Sequence, residues 1–310
     1  MRRILVTGGA GFIGSHFVHG LPGADVTVLD KLTYAGNPLN LEGAPHTFVH
    51  GDICDAGLLG EVVPGHDLVV NFAAESHVDR SIEGPAEFVR TNVLGTQTLM
   101  QACLDAGVPK VVHVSTDEVY GTIDRGSWDE SAPLLPRSPY AAAKAGGDLV
   151  ARAYAITYGL DVSITRCGNN YGPRQYPEKV IPLFITNLLR GERVPLYGDG
   201  GNVRDWIHVR DHCAGIRLVA EKGGPGEVYH IAGTAELTNK ELTARLLEAC
   251  GRDWSMVEPV ADRKGHDRRY SLDDTKLRGL GYRPEIPFEQ GLKDTVNWYA
   301  SNTAWWEASR

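Results

Sequence analysis

Residues 7–14 read Thr-Gly-Gly-Ala-Gly-Phe-Ile-Gly and follow directly on the apolar run 4–6. No other stretch limits the possible folds as strongly. Its glycines satisfy both G-x-x-G-x-x-G (Gly8, Gly11, Gly14) and G-x-G-x-x-G (Gly9, Gly11, Gly14). A strand that runs into such a stretch turns tightly and opens a helix packed close against it. Bare backbone can then approach a bound group, and the first helical turn offers unpaired N–H groups and a positive dipole to an anion. The pattern predicts a βαβ unit built to hold the pyrophosphate of a dinucleotide. Asp30, at the end of the next apolar run, supports this: its carboxylate can accept from a ribose 2′-hydroxyl and would repel a 2′-phosphate, which favours NAD over NADP. Lys31 beside it weakens that discrimination. As a bare turn cap, Asp30 would say nothing about a cofactor.

The rest of the first half repeats the unit. Short β-branched runs at 4–6, 26–29, 47–49, 68–72, 111–114 and 162–165 alternate with amphipathic stretches such as 86–106 and 140–158. Apolar runs without polar alternation predict strands covered on both faces, hence a parallel sheet. Beyond about Arg166, Pro and Gly become frequent and helical patterns dominate, as at 240–250 and 288–300. The expected architecture is α/β: a Rossmann-type, doubly wound parallel sheet in residues 1–166 and a smaller, mainly helical substrate lobe in 167–310. One later strand, 228–231, is expected to rejoin the first sheet.

Composition narrows the partners. With 31 Lys and Arg against 39 Asp and Glu, the net charge is −8, which argues against nucleic acid or an anionic membrane. A phosphate-bearing ligand must therefore meet local positive charge. Five scattered cysteines without a C-x-x-C pair read as reduced thiols of a cytoplasmic protein. No apolar run reaches the length of a membrane span, and the short apolar run after Met1 predicts no signal peptide.

The chemistry sits downstream. The run 111–116 ends in Ser115-Thr116-Asp117-Glu118, and the carboxyl ends of parallel strands are where ligands bind. Tyr140 and Lys144 lie four apart behind Pro139, on one face of a helix start. A phenol titrates near 10, too high for a base at neutral pH; a neighbouring ammonium and a nicotinamide cation are expected to lower it. Thr116 can hold the hydroxyl being oxidised. Oxidation needs neither Asp117 nor Glu118. Adjacent carboxylates after a strand are ordinarily solvated loop charges, but in this position they fit a second reaction. A ketone at C4 of a sugar acidifies the C5 proton, so one carboxylate can remove it while the other, protonated, donates to the departing C6 hydroxyl.

These segments, with 30–37, Gly51-Asp52-Ile53, 73–81, 115–121, 169–173, 177–179, Arg204-Asp205-Trp206 and 265–270, resemble the dTDP-glucose 4,6-dehydratases, nucleotide-sugar enzymes of the extended short-chain dehydrogenase/reductase type. The resemblance runs from residue 1 to about 300. It implies a hydro-lyase using NAD, with Tyr140 as base for C4 oxidation, Lys144 and Thr116 assisting, Glu118 as the C5 base and Asp117 as the C6 acid. It also implies cofactor contacts from Gly8, Gly11, Phe12, Ile13, Gly14, Asp30, Lys31, Thr33, Asp52, Ile53, Ala73, Ala74, Thr91, Tyr140, Lys144 and Asn170. Substrate contacts are implied for Ser76, Thr116, Asn169, Lys179, Pro195, Tyr197, Arg204, Asn239, Arg263 and His266, with Lys179, Arg204 and Arg263 gripping the diphosphate. Lys264 stands where the family more often has proline.

Neighbouring readings are a 4-epimerase, a UDP- or GDP-sugar dehydratase, and a non-catalytic NAD-sensing protein. The first lacks a use for Asp117 and Glu118; the last lacks a use for the Tyr140–Lys144 pair. His208 and His212 are four apart, but the glutamate of H-E-x-x-H is absent, so no metal is expected. A homodimer is expected, with small residues such as Ala102, Cys103, Ala106, Ala151 and Ala155 letting two helices per subunit pack as a four-helix bundle.

Overall fold

The computed structural model describes residues 2–262 and 265–307. Seven strands form one parallel sheet: β1 (Arg3–Thr7), β2 (Asp25–Asp30), β3 (Thr47–His50), β4 (Leu68–Asn71), β5 (Val111–Thr116), β6 (Val162–Cys167) and, after a long excursion, β10 (Val228–Ile231). Their order is β10-β6-β5-β4-β1-β2-β3, with every pair parallel. The order reverses between β1 and β4, and the crevice at such a switch point is where open α/β sheets bind ligands.

Every residue of β4, β5 and β6 is buried, as continuous apolar runs require of strands covered on both faces. The expectation fails at β3, which lies at the edge and has no buried residue. The covering helices are α1 (Phe12–His19), α2 (Ala56–Val62), α3 (Val78–Glu83), α4 (Pro85–Val89), α5 (Thr96–Asp105) and α6 (Pro139–Tyr158). Helix α6 begins where the sequence says it should. Ser138 caps it by accepting from Ala141 N at 3.1 Å, Pro139 occupies the first turn, and Gly159 ends it with φ +71°. The stretch 86–106 is not the continuous α-helix that its pattern suggests. Residues Arg90–Gly95 form a wider π turn between α4 and α5. Its cause is tertiary: Asn92 accepts from Glu75 N at 2.9 Å and donates to Glu75 O at 3.0 Å, fastening the turn to the loop after β4.

Beyond β6 come β7 (Asn169–Tyr171), α7 (Val180–Arg190), β8 (Val194–Tyr197), β9 (Val203–His208), α8 (Val209–Lys222), β11 (Ala235–Thr238), α9 (Asn239–Ala249), β12 (Val257–Val260), α10 (Thr275–Gly279), α11 (Phe288–Ser301) and α12 (Thr303–Glu307). This region is helical, as expected, but also holds two small sheets that the sequence did not reveal, β11-β9-β7 and β12-β8. Its apolar core gathers Phe184, Leu188, Trp206, Leu246, Tyr299 and Trp306. Helix α8 and strand β10 instead join the core of the large sheet, and β10 pairs with β6 as predicted.

Candidate active site

A cavity of about 470 Å³ opens at the carboxyl ends of the central strands, at the switch point. One end is walled by the glycine turn, and a side chain would not fit there. A Cβ on Gly8 would sit 2.6 Å from Ala73 N, and one on Gly14 2.3 Å from Gly8 O. Gly8 also has φ +68°, in the left-handed region. No side chain caps α1, so its first-turn N–H groups are left to an anion in the cavity. Asp30 accepts from Ala10 N at 2.9 Å and Leu32 N at 2.8 Å, so the turn-cap role is real. Each carboxylate oxygen still has a lone pair for a hydroxyl. Lys31 pairs with Asp52 at 2.9 Å and with Glu87 at 3.6 Å, so its charge is balanced. These residues fit a dinucleotide with a free ribose hydroxyl. Gly11, Phe12, Ile13, Thr33, Ile53, Ala73, Ala74, Thr91 and Asn170 line the same cavity.

Farther along the wall, Thr116, Asp117, Glu118, Tyr140 and Lys144 come together. Thr116 ends β5. Its hydroxyl donates to Asp117 Oδ1 at 3.1 Å and accepts from Glu118 N at 3.3 Å, which starts a 3₁₀ turn over Asp117–Tyr120. Asp117 is buried and its Oδ2 has no hydrogen-bond partner. Burial, then the neighbouring charges of Glu118 and Asp205, hold its carboxyl well above the usual range. This is the direction that favours the protonated form a general acid uses.

The Tyr140–Lys144 pair departs from expectation. Burial first, then Glu118, pushes the phenol up, and only a hydrogen bond with Thr116 pulls it down. Lys144 is also buried, which lowers its pKa, while Asp148 raises it. Its ammonium donates to Val114 O at 2.6 Å. Among this chain's own groups, burial and Glu118 thus outweigh the Thr116 hydrogen bond in setting the direction of the phenol's pKa.

The sequence reading missed what supports this pair. Asp148 lies one helical turn past Lys144, buried, 2.8 Å from Arg166 and 3.5 Å from His113. Asn71 bridges His113 to Thr7 at 3.1 and 2.6 Å, so a polar chain crosses β6, β5, β4 and β1 beneath the site. The i, i+4 spacing from Lys144 was the one local signal for Asp148. Glu75, Gln175, Tyr176 and Glu178, which also line the cavity, had none.

At the far end are Ser76, Asn169, Lys179, Pro195, Tyr197, Arg204, Asn239 and His266. Lys179 Nζ donates to Ser76 O at 2.6 Å. The Arg204 guanidinium lies 4.3 Å from the Tyr270 ring centroid and donates to Val203 O and Asp267 O at 2.8 and 2.9 Å. A guanidinium has five N–H donors, so others remain for a ligand. His266 Nδ1 lies 2.6 Å from Asp262 Oδ1. Arg263 and Lys264 lie outside the described residues.

His208 accepts from Arg210 N at 3.3 Å, and His212 lies 2.9 Å from Asn170 Oδ1, with burial pushing it down to about 3. Both have structural partners. Among the described residues no cluster of three or more His, Cys, Asp or Glu is arranged to hold a metal ion, and no helix is long and apolar enough to cross a membrane. All five cysteines are free thiols.

The chain is similar to known proteins along nearly its whole length. Residues 5–295 match the GDP-mannose 4,6 dehydratase family. A dTDP-glucose 4,6-dehydratase of Streptomyces antibioticus is 60% identical over 98% of this chain and 94% of its own length. The crystal structure of DesIV, a dTDP-glucose 4,6-dehydratase of Streptomyces venezuelae with NAD and TYD bound, is 63% identical with TM-score 0.98 over 99% of this chain and all of that one. A UDP-glucose 4-epimerase of Thermotoga maritima with UDP-glucose matches with TM-score 0.91 at 36% identity, over 97% of this chain and 99% of that one; the scaffold is thus shared with a different chemistry. On identity across the whole chain, the protein belongs to the GDP-mannose 4,6 dehydratase family and, within it, to the dTDP-glucose 4,6-dehydratases.

Proposed function

We propose that the protein converts dTDP-glucose to dTDP-4-keto-6-deoxyglucose, residues 1–166 serving NAD and residues 167–310 the nucleotide sugar. The observation that carries the reading is Asp117: a buried carboxyl with an unpartnered Oδ2, its pKa pushed up by burial and by Glu118, on the wall that also holds Thr116 and Tyr140. An epimerase needs no acid at C6. When bound, NAD would take the hydride from C4 and return it to C6, and its nicotinamide cation would add positive field at the phenol. Tyr140 takes the C4 hydroxyl proton while Thr116 holds that oxygen. Glu118 then removes the C5 proton, made acidic by the ketone, and Asp117 protonates the leaving C6 hydroxyl; as the hydride arrives at C6, Glu118 returns the proton to C5, and the proton held by Tyr140 restores Asp117. Atoms balance as loss of one water, with no net oxidation. Lys179 and Arg204 provide the cationic contacts for a diphosphate that an acidic protein must supply locally. The test is incubation with dTDP-glucose and, separately, UDP-glucose, with products identified by mass and NMR. Loss of one water from dTDP-glucose supports the reading; a C4 epimer without dehydration overturns it. Comparable kcat/KM for the two would widen the nucleotide specificity.

A cytoplasmic homodimer completes the reading, supported by the free thiols and by exposed apolar side chains. Val89, Leu94, Leu149 and Ile156, each more than half exposed, lie on α4, the π turn and α6. Of the small residues anticipated for that face, Cys103 and Ala151 are wholly buried in the subunit's own core, while Ala102, Ala106 and Ala155 are partly buried against it.

A further inference from the structure

Three segments distant in sequence meet on the rim of the cavity. Residues 33–36 turn back after β2, Gly36 N donating to Thr33 O at 3.0 Å. A Cβ on Gly36 would sit 2.9 Å from Asp30 Oδ1, so this turn lies against the carboxylate assigned to the ribose. Tyr34 is carried by that turn, Arg80 by α3, and Glu178 by the loop ahead of α7. The Arg80 guanidinium lies 3.8 Å from the Tyr34 ring centroid, and its Nε donates to Glu178 Oε2 at 3.2 Å. Burial, then the Glu178 carboxylate near it, raises the pKa of the Tyr34 hydroxyl. One carboxylate thus bears on both members of the stack. Tyr176, beside Glu178, meets the Tyr34 ring edge-on at 5.6 Å.

None of the three side chains belongs to an apolar core cluster. Each is placed where a neighbour in sequence lines the cavity, and together they join the cofactor end to the substrate end. We propose that Tyr34, Arg80 and Glu178 form a clasp that retains NAD from one turnover to the next. The inference rests on the NAD-dependent reading above. In that reaction the hydride returns to the sugar that lent it, so the cofactor has no need to leave. A contact that must break before residues 33–36 lift from Asp30 slows release without touching a reacting atom.

The test is the rate at which radiolabelled NAD, loaded on the intact protein, exchanges for excess unlabelled NAD. Glu178→Gln and Tyr34→Leu should each speed release by about three- to tenfold, the range expected of an exposed stack and ion pair. The double variant should fall well short of the product of the two, because both changes break one contact. Glu178→Gln discriminates further. Removing a negative charge beside the cavity should slow release of an anionic dinucleotide if only electrostatics acted, whereas an opened clasp speeds it. Should that variant not fold, Arg80→Lys, which keeps the charge and loses the planar stack, gives the same readout. Release at or below the wild-type rate overturns the clasp and leaves the enzyme reading intact; a wild-type protein that binds no NAD overturns both.

Discussion

Glu118 and Tyr140 face one substrate from the same wall but enter the reaction at different carbons, so their losses are distinguishable. Tyr140→Phe should form no reduced nicotinamide on mixing with dTDP-glucose, since C4 oxidation has lost its base. Glu118→Gln should still oxidise C4, accumulate reduced nicotinamide and a 4-keto sugar, and lose roughly 10²–10⁴-fold in product formation. Absorbance of the nicotinamide and exchange of the C5 proton with deuterated water read the two steps; wild-type rates in Glu118→Gln would remove its assigned role. Asp205 makes a separate prediction about stability. Burial, then Glu236 and Asp274, raises its pKa from 3.8 to about 7, against a hydrogen bond from Gly233 N. The native state therefore binds this proton more tightly than the unfolded chain, and its contribution is lost as pH rises from about 4 to about 7, by up to about 1.4 kcal/mol per unit. Asp205→Asn should flatten that part of a curve of Tm against pH, and an unchanged slope would contradict the assignment. The catalytic cluster and Asp205 differ in legibility. Asp117, Glu118, Tyr140 and Lys144 announced themselves by order and spacing; Asp205 did not, because its perturbation comes from packing between β9 and β11, which no local pattern encodes.

At the scale of elements, helix α1 offers the sharpest test. Gly14 faces the backbone of the preceding turn so closely that a methyl group, 2.3 Å from Gly8 O, must displace it. Gly14→Ala should destabilise the protein by about 1–3 kcal/mol and weaken NAD binding by tenfold or more, read by thermal unfolding and by titration with NAD. Unchanged values would mean that the turn relaxes freely. This helix was legible because glycine spacing encodes contact between neighbouring elements. The π turn at Arg90–Gly95 was not, since Asn92 earns its shape from Glu75, 17 residues away. The strands β7, β8, β9 and β11 hid for another reason: they are short and interrupted by polar residues or proline, so no continuous apolar run marks them off from loop.

For the whole molecule, the exposed row Val89, Leu94, Leu149 and Ile156 predicts self-association. Light scattering at micromolar concentration should give twice the chain mass, and Ile156→Glu together with Leu149→Glu should give the monomer. A monomeric wild type would exclude the dimer. The large sheet has a different consequence, in time as opposed to space. Strand β6 has β5 on one side and waits for β10 on the other, so 60 residues separate Cys167 from the strand that covers it, Val228–Ile231. At the opposite end, Trp305 donates to Asn40, which in turn donates to Ala10 O in the glycine turn. While the chain emerges from a ribosome, it therefore carries an unpaired strand edge that the finished fold buries, and the cofactor turn gains its last support only after Trp305 is made. From the completion of β6 until β10 emerges, the nascent chain is exposed to mispairing at that edge.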